Sequence, residues 1–88
     1  MLKKFILILI IFNIYILNSA YGDDILKGFD AYKNNDYQTA FEIWYKLAEE
    51  GDAIAQNSLG VLFQKGQGVG KNYSESYKWF KKSAEDGY

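Results

Sequence analysis

The sequence predicts an all-α fold, a short α-solenoid of antiparallel helix hairpins with about four helices in two repeats. Two observations support this prediction. A segment at residues 36–52 recurs at 72–88, and a fixed period of about 20–50 residues is typical of repeat architectures. Apolar residues in each copy follow helical spacing, and the chain contains no proline that would break a helix.

The first 22 residues differ in composition from the rest and predict a signal peptide. Lys3 and Lys4 form a positive start, and an apolar run over residues 5–17 follows. The run fits the roughly 7–15 residues of a signal sequence and is short of the roughly 20 that span a bilayer. We expect cleavage after Gly22 and export to the periplasm or the medium, without stable membrane insertion afterwards. The alternative is an uncleaved N-terminal membrane anchor.

The composition of residues 23–88 excludes several classes of function. This segment keeps eight of the ten basic residues and all eleven acidic ones, which gives a formal charge of −3. Its one basic cluster, Lys78, Lys81 and Lys82, is diluted by acidic neighbours, so we expect no nucleic-acid partner. With no histidine or cysteine, the chain lacks the usual metal ligands and cannot form disulfides, and we expect no cofactor.

The first two helices are predicted over 24–34 and 37–50. Ile25, Phe29 and Tyr32 stand at positions i, i+4 and i+7 of the first helix. Asp36 is a suitable N-cap for the second helix, and Gly51 is the glycine expected just past its end.

The third and fourth helices are predicted over 53–65 and 73–86. Asp52 caps the third helix, where Gly60 is reasonable only if a neighbouring helix approaches closely. Asn72 and Gly87 repeat the cap and the terminal glycine. The repeated buried faces are predicted as follows: Ala40, Phe41, Trp44 and Ala48 in the second helix, and Ser76, Tyr77, Phe80 and Ala84 in the fourth.

The glycine-rich stretch "FQKGQGVGKNYSE" invites comparison with phosphate-binding loops. Its glycine spacing fits neither the Walker A nor the dinucleotide-binding pattern, and a helix rather than a strand precedes it. We therefore predict a connector between two helices, in which Val69 is buried and Lys71 is solvated.

The segment "AQNSLGVLFQKGQGVGKNYSESYKWFKKSAEDG" resembles one complete SEL-1-like repeat, a subclass of the tetratricopeptide-like helix hairpins. The residues that carry the resemblance are Ala55, Leu59, Gly60, Phe63, Gly66, Gly68, Val69, Trp79, Ala84 and Gly87. The resemblance implies a first, partial repeat over about 24–52 and a second over 53–88. Ser76 departs from the usual alanine and Asn72 from the usual aspartate, and the disulfide of many exported members is impossible here.

The resemblance implies a role in protein–protein interaction. The first helices of such hairpins line the concave face, so a protein or peptide partner is expected to contact Tyr32, Ile54, Asn57, Val61 and Gln64. An ordinary mixed surface or a self-association face explains the same residues. The chain is thus interpreted as a non-catalytic adaptor or scaffold, with a truncated repeat remnant or a self-associating structural module as the alternative. A third interpretation is a cell-envelope enzyme, such as the β-lactamase activity associated with cysteine-rich relatives, for which no nucleophile–base pair is present.

Overall fold

The computed structural model describes residues 2–88, and the side chains of residues 3–14 and 22–88. Within this described part the chain forms four helices, α1 (Leu2–Lys33), α2 (Tyr37–Glu49), α3 (Ala53–Lys65) and α4 (Tyr73–Glu85). Each helix packs against the next one along the chain. The predicted all-α solenoid is confirmed, and every regular element in the described part of the chain is a helix.

Helix α1 is much longer than the predicted first helix. It runs without a break from Leu2 through the segment predicted to be a signal peptide, and it ends at Lys33, one residue before the predicted end. The predicted start of the first helix at about residue 24 was wrong, because neither a proline nor a left-handed glycine interrupts the helix there; Gly22 is helical with open space around it. The described apolar side chains of residues 5–14 are exposed. In the described residues, no helix has both the length and the apolar character needed to cross a membrane.

The helix ends follow the sequence prediction. Asp36, Asp52 and Asn72 are the N-caps of α2, α3 and α4, and each side chain accepts a hydrogen bond from the backbone amide three residues later. Gly51 and Gly87 follow α2 and α4 with φ angles of 98° and 102°, a region in which a side chain would be strained. The caps and terminal glycines are therefore confirmed.

The core lies between α2 and α3, with part of α1 and α4 packed against it. Its buried apolar residues are Ala40, Trp44, Leu47, Ala48, Ala55, Leu59 and Leu62. The predicted buried face of α4 was half wrong. Ser76 is buried and Phe80 is half-buried, but Tyr77 and Ala84 are exposed, because none of the helices described within residues 2–88 packs on that side of α4.

Two glycines in the leading helices of the hairpins, α1 and α3, make room for two aromatic rings in the trailing helices, α2 and α4. A Cβ atom on Gly28 would lie 2.7 Å from Cδ1 of Trp44, and one on Gly60 would lie 2.6 Å from Cδ1 of Phe80. The close approach predicted at Gly60 is therefore confirmed. The two glycines are 32 residues apart in the sequence, and the two rings are 36 residues apart. The difference of four residues arises because the second loop (66–72) is four residues longer than the first loop (34–36).

The second loop, residues 66–72, folds back onto the first repeat. Gly68 has a φ of 72° and lies so close to the carbonyl carbon of Tyr37 that a Cβ atom would be 2.5 Å from it. Lys71 is exposed, as predicted, with its ammonium 5.1 Å from the ring centroid of Tyr73. Val69 is half-buried against the core rather than fully buried.

Candidate functional site

A groove opens between the two leading helices, α1 and α3. Its walls are Phe29 and Tyr32 from α1 and Asn57, Ser58 and Val61 from α3, and Trp44 of α2 lies between them. We call this site the α1–α3 groove. It has a volume of about 240 Å³. None of its six lining residues carries a charge.

Aromatic packing fixes the shape of the α1–α3 groove. The ring of Phe29 meets Trp44 edge-on with a centroid separation of 5.1 Å, and Tyr32 lies 5.8 Å from the same indole. Trp44 is only 2% exposed, and its indole nitrogen has no hydrogen-bond partner among the residues whose side chains are described. Rings in tilted and edge-on arrangements stabilise one another beyond the area they bury. The groove therefore has a rigid, apolar base.

Polar groups lie around this apolar base. The hydroxyl of Tyr32 donates a hydrogen bond to Oε1 of Gln67 in the second loop, at 3.1 Å. Ser58 donates to the carbonyl of Ile54 in its own helix, so its hydroxyl hydrogen is already used. Asn57 is half-buried, and its side-chain amide has both donors and an acceptor. An apolar base with an amide at its edge suits a bound peptide, whose apolar side chain would lie on the rings while its backbone lies beside Asn57.

The structure brings together three of the five residues predicted to bind a partner. Tyr32, Asn57 and Val61 line the groove, whereas Ile54 and Gln64 are exposed on α3 outside its lining. Sequence reasoning did not assign Phe29, Trp44 and Ser58 to a site. Phe29 could have been found from its position one helical turn before Tyr32, on the same face of α1.

A larger depression, of about 500 Å³, lies along α4. Five of its six lining residues, which include Trp79 and three lysines, belong to that single helix, and the sixth, Asp86, is its C-cap. One helix cannot enclose a ligand, so the smaller groove, which three helices form, is the better candidate site. Among the described residues, no cluster of three or more acidic side chains is placed to hold a metal ion.

One ionisable side chain outside the groove has a shifted pKa. Tyr45 of α2 is hydrogen-bonded to the carboxylate of Glu49, one helical turn later, and this bond raises the pKa of the Tyr45 hydroxyl above its ordinary 10.0. The negative charge of Glu49 and partial burial act in the same direction. The shift concerns alkaline pH only and gives no acid or base for catalysis near neutrality.

The packing of α1 to α4 defines a helical-repeat protein in which each hairpin stacks on the next. The model of the Sel1 repeat family matches residues 20–52 and 53–88, and the chain belongs to this family. An F-box protein from Arabidopsis thaliana is 33% identical over 57 residues, which are 65% of this chain and 16% of that protein. The chain thus spans a small part of the length of this curated relative.

Proposed function

We propose that the chain is an exported Sel1-repeat protein that acts as an adaptor by binding a protein or peptide partner in the α1–α3 groove. The observation that carries the proposal is the uncharged, aromatic-based groove between two leading helices. The family match supports a role in protein interaction, because stacked helical repeats build extended concave binding surfaces.

The size of the groove favours a side chain over a small metabolite. Pockets for small molecules typically measure roughly 300–1,000 Å³, whereas the α1–α3 groove has about 240 Å³. An apolar side chain of the partner would lie against Trp44, Phe29 and Val61. The amide of Asn57 would then bond to the partner's backbone, since an amide offers both a donor and an acceptor.

Site-specific cross-linking in cells tests the proposal. A photoreactive residue at Gln64, an exposed position on α3 near the groove, is expected to give a discrete cross-linked product. The same residue at Gln38, an exposed position on α2, is the control. Adding Val61→Arg or Asn57→Arg should remove the Gln64 product, because either substitution places a charge in an uncharged groove.

Three outcomes would contradict the proposed site. Equal products from Gln64 and Gln38 would show that contact is not specific to this surface. Persistence of the product in Val61→Arg, with helicity retained by circular dichroism, would place the partner elsewhere. A cross-linked product with the mass of a dimer, accompanied by a dimer in light scattering, would make the groove a self-association face instead.

Export is the second part of the proposal, with cleavage after Gly22. Lys3 and Lys4 precede an apolar run whose side chains over 5–14 are exposed, which suits recognition by a secretion apparatus. Mass spectrometry of the mature product is expected to find Asp23 at the N-terminus. An intact Met1 in the membrane fraction would favour an uncleaved anchor.

The proposed adaptor is non-catalytic. Several acidic side chains already have structural partners: Asp52 caps α3, Asp86 accepts a hydrogen bond from Gln56, and Glu75 pairs with Lys78. We expect the purified chain to hydrolyse a chromogenic β-lactam no faster than buffer. Hydrolysis that copurifies with the chain and falls in a point variant would overturn this part of the proposal.

A further inference from the structure

The two leading helices end with the same residue on the side of the α1–α3 groove. Lys33 of α1 follows Phe29 by four residues, and Lys65 of α3 follows Val61 by four residues. Residues four apart lie on one face of a helix, so each lysine stands one turn beyond a residue that lines the groove. The two lysines are 32 residues apart, as are the two glycines of these helices, and they therefore occupy equivalent places in the two repeats.

Both lysines are accessible to a partner. Each is exposed, and neither forms an ion pair with any side chain that the structure describes. Helix α3 contains no acidic residue, and Asp30, the acidic residue of α1 closest to Lys33 in sequence, is not paired with it. Asp36, which follows α1, uses a carboxylate oxygen to cap α2. This end of the groove therefore presents two positive charges to solvent.

The second loop adds a neutral donor at the same end. Tyr32, the residue before Lys33, donates its hydroxyl hydrogen to Oε1 of Gln67 at 3.1 Å. Gln67 is half-buried, and its Nε2 hydrogens have no acceptor among the described side chains and backbone groups. An oxygen-rich group of a partner would thus find both charged and neutral donors here.

The opposite end of the groove is apolar. Leu26 of α1 lies three residues before Phe29 and is 64% exposed, and Ile54 of α3 lies three residues before Asn57 and is 43% exposed. Residues three apart also share a face of a helix. Because α1 and α3 are equivalent helices of two stacked hairpins, they run in the same direction. The surface therefore changes along the groove from exposed apolar side chains to an aromatic base and then to lysines.

We propose that the α1–α3 groove selects a peptide segment in which apolar residues stand about three residues away from an acidic residue. The selection rests on the proposed function of the groove and specifies the chemistry of its partner. A helix rises about 1.5 Å per residue, so Lys33 lies about 10 Å beyond Leu26 along α1. An extended segment covers this distance in about three residues, at roughly 3.3 Å each. Its carboxylate pairs with Lys33 and Lys65 while its apolar side chains lie over the aromatic base.

The helix dipole gives a second reason for a lysine in the last turn of a helix. Helix α2 has Lys46 in its last turn as well, and this lysine lines a separate small cavity with Asp24 and Lys27. Lys46→Glu therefore removes the same interaction with a helix end without changing the groove. It is the matched control for substitutions of Lys33 and Lys65.

The test measures the binding of blocked, dye-labelled peptides to the full chain by fluorescence anisotropy at low salt. The acidic probes are Leu-Phe-Ser-Asp-Asp and the same residues in reverse order, and the basic probes carry lysine in place of aspartate. We expect one acidic probe to bind about tenfold more tightly than its basic counterpart, because two exposed ion pairs together contribute about this factor. The preference should disappear near 1 M salt, where the Debye length falls to about 3 Å.

Charge reversal makes the test specific. Lys33→Glu combined with Lys65→Glu should make the basic probe the tighter binder, whereas Lys46→Glu should keep the preference for the acidic one. Serine in place of both leucine and phenylalanine should weaken the acidic probe at least about tenfold, since charge attraction alone would remain.

The results separate this selection from the groove itself. Acidic and basic probes that bind equally and are both lost in Val61→Arg would refute the selection and leave the groove as the binding site. Reversal of the preference by Lys46→Glu, or an acidic probe that binds as well without its apolar residues, would refute the selection too, because attraction to net charge would explain the binding. No probe binding at all would also refute it, and the additional absence of the Gln64 cross-link would remove the groove as well.

Discussion

Gly28→Ala should destabilise the protein, although the same change normally favours a helix. Alanine has about 1 kcal/mol more helix propensity than glycine. In this position, however, the new Cβ atom would lie 2.7 Å from Cδ1 and 2.8 Å from Cε2 of Trp44. Carbon atoms prefer separations of roughly 3.5–4.0 Å, so the ring or helix α1 would have to move by nearly 1 Å.

The surroundings of Trp44 decide the size of the effect. The indole is 2% exposed and is held by Phe29 and Tyr32, so it cannot rotate into solvent. Overpacking of a core costs about 1–3 kcal/mol, and a rigid ring approached at several atoms belongs near the upper end. Subtracting the propensity gain of about 1 kcal/mol leaves a net loss of about 2 kcal/mol. For a chain of this size, Tm should fall by roughly 10 °C.

Urea unfolding followed by far-UV circular dichroism measures this loss. Gly70→Ala is the control, because Gly70 has open space around it and no left-handed backbone; its effect should be within about 0.5 kcal/mol. In a Trp44→Leu background, Gly28→Ala should instead stabilise by about 1 kcal/mol, since only the propensity gain remains. A raised midpoint in the wild-type background, or the same loss with Leu at position 44, would refute the steric reasoning.

Three further predictions concern single contacts. Leu59→Ala should lower the free energy of unfolding by about 3 kcal/mol, because Leu59 is fully buried between α2 and its neighbours; a loss below about 1 kcal/mol in urea unfolding would contradict this burial. Ser76→Ala, the family's usual residue, should cost about 1 kcal/mol, since the hydroxyl donates to the Gly60 carbonyl at 2.7 Å in a buried site; a stabilised variant in the same assay would refute the bond. Tyr45 should ionise above pH 10.0 in an absorbance titration, and Glu49→Gln should move its pKa back down. Because the folded pKa is raised, the contribution of Tyr45 to stability is present at neutral pH and is lost as pH rises through that pKa.

Local features of the fold could be predicted from the sequence because their causes are local. Asp36, Asp52 and Asn72 act as caps through hydrogen bonds to amides three residues away, and Gly51 and Gly87 adopt the left-handed backbone that ends a helix. Such features depend on neighbouring residues alone. The 36-residue offset then placed equivalent helices in equivalent positions.

Burial on α4 could not be predicted, because it depends on what stands beside the helix. Periodicity marks Tyr77 and Ala84 as apolar positions equivalent to covered ones, but it does not reveal whether a cover is present. Ser83 shows the opposite error: it looks like a surface residue, yet it is 2% exposed and donates a hydrogen bond to the carbonyl of Ala53. A serine can be buried when its hydroxyl donates to a backbone carbonyl, whose second lone pair can accept it.

The candidate site also has one part that could be predicted from the sequence and one part that could not. That Asn57 and Val61 lie together could be predicted because they share one stripe of α3, and Tyr32 joins them because it lies on the equivalent helix. Ile54 and Gln64 share that stripe but lie outside the groove lining, which is defined by the rings of α1 and α2 opposite. The depth of the groove comes from Trp44, whose position depends on the absence of a side chain at Gly28.

The second loop makes the two repeats unequal in the number of elements that hold their trailing helices, α2 and α4. Residues 66–72 contact the start of α2 at Gly68, and Gln67 accepts the hydrogen bond of Tyr32, so the loop fastens the second hairpin to the first. Helix α2 is held by α1, α3 and this loop, whereas α4 packs mainly on α3, with Trp79 meeting Tyr45 of α2 at a centroid separation of 6.0 Å. Opening α2 therefore breaks contacts with two helices and the loop, whereas opening α4 leaves the first hairpin and its loop contacts in place.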